Sequence, residues 1–215
     1  MFFGMKNFFY KVNDKEYEVI VTHKRIKNIH YRFKDDKFYI SCHPFVGRHT
    51  LINGLNQFGE GLIKRSSKEK PIGDNYIYLF GEKYIINTSG KLSLSGYKEI
   101  NYKDHDDLLK KLKPIFKDII TQRVRYYEGL MNVPSYTINV RNMTSRYGSN
   151  SKYSKNINFA FTLIHYSFAI IDSVVVHELA HILVFNHSKK FYDVVYKYYP
   201  DYDSCHTKLR KGVFK

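Results

Sequence analysis

His177, Glu178, His181 and His187 are residues whose types and spacing could do hydrolytic chemistry. They lie in V-V-V-H-E-L-A-H-I-L-V-F-N-H-S, where the first three make an H-E-x-x-H motif and His187 follows six residues after the second His. On a helix, residues four apart sit about 40° apart around the axis and one turn up, so both imidazoles can reach one metal ion. Glu178 then stands beside them, where a metal-bound water would lie. His187 falls just past the expected helix end, where a turning chain can bring a third nitrogen to the same ion. Three neutral imidazoles leave Zn²⁺ its double charge and one open position, which lowers the pKa of a bound water toward about 7 and polarises a carbonyl. Glu178 would take that water's proton and pass it to a leaving amine. The pattern predicts one Zn²⁺ per chain and hydrolysis, foremost of a peptide bond.

Those side chains need a helix to carry them. Residues 168–185 are almost wholly apolar apart from Asp172, Ser173 and the His and Glu set, which predicts a buried helix. Val174, Val175 and Val176 would suit a strand, but the apolar run is too long for one. Two core histidines bonded to carbonyls are the plain alternative to a metal site. Asp172 is expected in the helix's first turn, where its charge suits the dipole, or else as the partner that orients a ligand His. Asn186 is expected to end the helix in a left-handed turn, Ser188 to cap the next helix, and Phe191 to be core. Arg146 is the candidate to stabilise a developing oxyanion, with Tyr147, His165 and Tyr166 as others.

Further out, residues 17–21 and 37–41 alternate as strands with a turn at Asp35-Asp36, and residues 45–66 carry a helical stripe weakened by Gly54, Gly59 and Gly61. A hairpin is expected over residues 76–86, and short strands at 92–94 and 97–102. A long helix should run from an Asp104 or Asp106 cap to about Leu130, kinked or restarted at Pro114. Beyond it the pattern predicts a strand at 136–140, a polar loop at 143–150, a strand at 157–164, and helices over 188–199 and 203–211. The fold class is α+β. A catalytic half at 104–215, a small sheet plus helices with the motif helix central, follows a β-rich half at 1–103 that has one helix.

The chain of 215 residues carries a net charge of +15. That would suit nucleic acid, but Lys outnumbers Arg 26 to 9 and is scattered rather than gathered into a run, so nucleic acid is not the favoured partner. Cys42 and Cys205 are far apart and in no C-x-x-C pair; Cys205 beside His206 reads as a surface pair rather than a metal site. Lys6 interrupts the apolar start, and no run of 18 apolar residues occurs. A reducing, cytoplasmic setting without a membrane span is expected; oligomeric state is not legible.

Three stretches carry a resemblance: M-T-S-R-Y-G-S at 143–149, I-N-F at 157–159 with Leu163-Ile164, and V-V-V-H-E-L-A-H followed by N-H-S-x-x-F. The chain resembles the YgjP-like metallopeptidase family, relatives of the SprT-like and other zincin peptidases. The family's M-x-x-R-W-G-S has Trp where this chain has Tyr147, and often Cys at the position of Asn150. Weaker likeness covers residues 17–102. The resemblance implies His177, His181 and His187 as zinc ligands, Glu178 as base, and a peptide or protein substrate. The His spacing equals that of the metzincins, but the Gly they need is Val184 here. Two alternatives stay open: a metal-dependent nucleotide phosphoanhydride hydrolase, and a nucleic-acid-associated module with a structural zinc site.

Overall fold

The computed structural model describes residues 7–66, 69–86, 90–97 and 99–215. The chain is α+β and divides into two compact units, Met1–Glu69 and Lys70–Lys215. Residues 1–6, on which the reading of the apolar start rests, lie outside the described residues, as does Lys98 in the expected strand at 97–102.

In the first unit β1 (Phe8–Val12), β2 (Lys15–His23), β3 (His30–Lys34) and β4 (Lys37–Cys42) form one sheet in the order β1-β2-β4-β3. β2 and β4 run parallel, and the outer pairs antiparallel. Every second side chain faces one way, so Tyr17, Val19, Phe38 and Ile40 meet Leu51 and Leu55 of α1 (Arg48–Ser66) in a small core. Left-handed Asn13-Asp14 and Asp35-Asp36 close the two hairpins, a conformation these residues tolerate. Gly54, costly to a helix by propensity, has a packing reason: a methyl there would overlap the Tyr31 ring.

The second unit opens with the hairpin β5 (Tyr76–Leu79) and β6 (Glu82–Ile85), turned at left-handed Phe80 and Gly81. The short pair β7 (Lys91–Leu92) and β8 (Ile100–Asn101) leads into α2 (His105–Met131). Asp104 caps α2, its carboxylate accepting from the Asp107 amide at 2.8 Å. Pro114 neither stops nor restarts the helix. It lies on the exposed side with Lys110, whose carbonyl loses its amide partner where water can replace it. Ile77, Leu79, Leu92 and Ile100 share one core with Leu108, Leu112 and the later helices. The chain therefore separates after Glu69, not at the composition shift near residue 103.

β9 (Thr137–Arg141), β10 (Gly148–Ser151) and β11 (Asn156–Ala160) form a sheet in the order β10-β11-β9. β10 corrects the expected loop at 143–150. Gly, Ser and Asn are poor strand formers, but pairing with β11 from Gly148↔Phe159 to Ser151↔Asn156 overrides propensity. A 3-10 turn, Phe161–His165, precedes α3 (Phe168–Leu183), and α4 (Lys189–Tyr198) and α5 (Tyr202–Lys211) follow. The three valines are helical and sit in the core.

Asp172 serves neither expected role. α3 begins at Phe168, so Asp172 lies past the first turn, and its carboxylate accepts from Arg123 through Nε at 2.7 Å and through Nη2. The Tyr127 hydroxyl adds a bond at 3.4 Å, and burial with this carboxylate pushes the Tyr127 pKa up to about 12. This forked pair ties α2 to the motif helix. Losing one partner of a buried pair costs about 3–5 kcal/mol, and less where one partner is exposed. With Asp172 at 8% and Arg123 at 34% side-chain exposure, Arg123→Ala should cost on the order of 2 kcal/mol in urea denaturation. An unchanged midpoint would contradict that role.

Candidate metal centre

α3 carries His177 and His181 on one face, one turn apart. The helix ends at Leu183, and Val184 is extended at φ −134° and ψ 109°. Asn186 is not among the left-handed residues, so the expected left-handed turn is replaced by extended chain at Val184. Ser188 stands at the N-cap of α4 without a side-chain cap bond. The turn brings His187 Nε2 to 3.2 Å from His177 Nε2. One nitrogen from each of His177, His181 and His187 lies within 4.8 Å of the others. Fully buried Phe191 is core, as expected, and also the floor of this cluster: its ring centre is 4.9, 4.6 and 4.8 Å from those of His177, His181 and His187.

Two rings are oriented from behind. His181 Nδ1 is 3.0 Å from the Phe185 carbonyl. A carbonyl only accepts, so Nδ1 carries the proton and Nε2 keeps its lone pair. His177 Nδ1 lies 2.8 Å from the Tyr202 hydroxyl, and the two rings are near parallel at 12°. Donation from Nδ1–H to that oxygen leaves His177 Nε2 free in the same way. His206 stacks on the Tyr202 ring at 14°. Sequence reasoning missed Tyr202. Nothing in its local pattern distinguishes it among 20 tyrosines, because its contact lies 25 residues away in the chain.

Burial, then His181, His187 and His206 nearby, lower the His177 pKa to about 3. Burial and His187 lower that of His181. Both rings stay neutral, as metal ligands must. Among the described residues no carboxylate belongs to the cluster, so its donor set is three nitrogens, which fits zinc with a position left open.

Glu178 is 5% exposed, and burial raises its pKa to about 8 against the opposing charge of Arg146. Its side chain packs over Gly148, where a methyl would overlap the carboxyl. Asn150 Nδ2 donates to the Glu178 carbonyl at 2.8 Å. Strand β10 therefore grips α3 at the acid. Ser149, Asn150, Arg146, Glu178, Phe185 and the three His line a cleft of about 710 Å³. A smaller cavity of about 170 Å³ shares Arg146 and Glu178 and adds Val174, Tyr202, His206 and Leu209.

Of the oxyanion candidates, Arg146 alone lines both cavities with a charge. The Tyr147 and Tyr166 hydroxyls pair with each other at 3.2 Å. Buried His165 bonds the Tyr78 carbonyl at 2.7 Å through Nδ1, and burial lowers its pKa. Neither His165 nor Tyr166 lines either cavity. Cys205 is buried with Sγ 3.9 Å from the Tyr199 hydroxyl, so the expected surface pair with His206 does not form.

Three neutral nitrogens converging beside a buried acid make a place where a metal could be held. The family described as YgjP-like, metallopeptidase domain, matches residues 48–212, and the chain belongs to it. Membership implies a divalent metal and a peptide or protein substrate. Among solved structures it is similar to the metallopeptidase zymogen jannalysin of Methanocaldococcus jannaschii, at 20% identity and TM-score 0.41, over 44% of this chain and 96% of that one. It is also similar to the zymogen abylysin of Pyrococcus abyssi, at 14% identity and TM-score 0.41, over 44% and 94%. No curated protein matches. Among the described residues, no helix is long and apolar enough to cross a membrane.

Two outcomes follow from the geometry. Tyr202→Phe keeps the stacked ring and removes only the oxygen behind His177, so zinc affinity should fall about 10- to 100-fold in a chelator competition; equal affinity would remove that role. In the metal-free folded protein, burial pushes the Glu178 carboxyl up to about 8 from its ordinary value of 4.5. Its stabilising contribution is full below 4.5 and is lost as pH rises to about 8. Metal-free Glu178→Gln should therefore melt above the native protein beyond about pH 8 and lose that advantage toward pH 4.5. A pH-independent difference in melting temperature would contradict the burial of that charge.

Proposed function

We propose that the protein is a zinc-dependent peptidase in which His177, His181 and His187 hold one Zn²⁺ and Glu178 is the general base. The observation that carries this reading is the convergence of three nitrogens with the Glu178 carboxyl beside but outside the cluster. Zinc, when bound, supplies a Lewis acid that makes water acidic and polarises a carbonyl. Glu178 takes the proton from water on its carboxylate and delivers it to the leaving amine. Burial makes it a stronger base than a solvated carboxylate, and Arg146 keeps its charged form accessible. The exposed Arg146 guanidinium at the cleft stabilises negative charge on the substrate oxygen.

Peptide is favoured over nucleotide by two features of the cleft. β10 is the sheet's edge strand, so its outer backbone edge can pair with an extended peptide. Among the described residues Arg146 is the one Lys or Arg in the cleft lining, too few cations to cradle a chain of phosphates. The purified protein should hold about one equivalent of zinc. Glu178→Gln should keep the metal and lose roughly 10²- to 10⁴-fold in peptide turnover, followed by mass spectrometry of a casein digest. Zinc well below one equivalent would sink the ligand assignment, surviving turnover the base. Hydrolysis of a nucleoside triphosphate in place of peptides would sink the substrate class.

A further inference from the structure

Residues 22–34, T-H-K-R-I-K-N-I-H-Y-R-F-K, hold five Lys and Arg, two His and no acid. Spacing hides this run from a search for consecutive charges, and folding concentrates it. β3 is an edge strand, and Lys24 and Ile26, from the segment that leads into it, line the same groove as its residues. Tyr31 and Phe33 point toward α1, so His30, Arg32 and Lys34 stand on the opposite face of the sheet. There Lys24, His30, Arg32 and Lys34 line a groove of about 570 Å³ with Thr22, Tyr39 and Ser41.

The register gives the groove floor its order. Ile20, Tyr39 and Arg32 form one cross-strand row, and Thr22, Ser41 and His30 the next. Three other lysines of this unit are neutralised: Lys15 pairs with Asp36 at 2.6 Å, Lys37 with Glu18 at 2.7 Å and Lys11 with Asp14 at 2.9 Å. Lys24, Arg25, Lys27 and Arg32 have no ion pair or side-chain hydrogen bond among the described residues. The one acid in the lining, Asp35, lies 3.6 Å from Lys34.

We infer that this face of the first unit binds single-stranded nucleic acid, with phosphates on Lys24, Arg32 and their neighbours and a base on the Tyr39 ring. Unpaired cations at the rim give the charge complement of a polyanion. An aromatic ring between an apolar residue and a guanidinium, flanked by two hydroxyls, is a stacking platform rather than a charge patch alone. Three strands spaced about 4.8 Å apart make a floor roughly 10 Å across, which suits one strand and not a duplex. The inference does not depend on the metal site.

The test is fluorescence anisotropy of a labelled oligothymidylate of roughly 12 nucleotides with the full chain, from low to moderate salt. Binding should weaken with salt, by a log–log slope of about 0.7 per phosphate neutralised. The doubly neutralised Lys24→Gln, Arg32→Gln chain should bind at least about ten-fold more weakly, with its slope reduced by about 1.4. Tyr39→Ala should weaken binding about five- to ten-fold and leave the slope unchanged. All variants should melt with the native protein and keep its activity on a short peptide. Three results would overturn the inference. They are no binding at low salt, an equal loss on neutralising the paired Lys15 and Lys37, and capture of phosphatidylserine vesicles in place of the oligonucleotide.

Discussion

The structure of the second unit depends on one constraint: α3 runs through an apolar core and yet carries polar side chains. Each buried polar group on such a helix must find a partner or cost free energy. Most do. Asp172 is matched by Arg123, the Ser173 hydroxyl by the Ile170 carbonyl at 2.7 Å, and the Glu178 carbonyl by Asn150. His177 and His181 each spend one ring nitrogen, on Tyr202 and on Phe185. What stays unspent is the converging set of ring nitrogens and the Glu178 carboxyl, which has no hydrogen-bond partner among the described residues. On this helix the site is what remains once the other polar groups have found partners.

That constraint also explains why supporting elements lie where they do. α2 reaches α3 through the Arg123 fork, α5 through Tyr202, and β10 through Asn150 and the bare Cα of Gly148. Phe191 of α4 completes the floor under three imidazoles. Each contact fixes a ring or the acid, so the geometry is held by side chains whose own positions are packed. Preorganisation of this kind is what lets a metal site bind without paying to order its ligands.

Local chemistry was legible where it is local. The H-E-x-x-H spacing needs only helical periodicity, the Asp104 cap needs only its own first turn, and the Asp35-Asp36 turn follows from the residue type. Non-local contacts were not. Asp172 read as a dipole partner because its true partner lies 49 residues earlier, and Tyr202 has no signal in its own neighbourhood. β10 looked like a loop since its strand character comes from β11, and Asn186 looked like a left-handed cap when an extended Val184 makes the turn. The division after Glu69 is not legible for the same reason: residues 76–102 are β-rich like the first unit but pack with the helices.

The central claim is that three imidazoles bind the metal while Glu178 stands off it. X-ray absorption of the zinc-loaded protein tests it most directly. The account predicts three imidazole nitrogens and one oxygen donor at about 2.0–2.1 Å, no sulfur, and the same shell in Glu178→Gln. A shell containing sulfur, fewer than three imidazoles, or a shell altered by Glu178→Gln would contradict it.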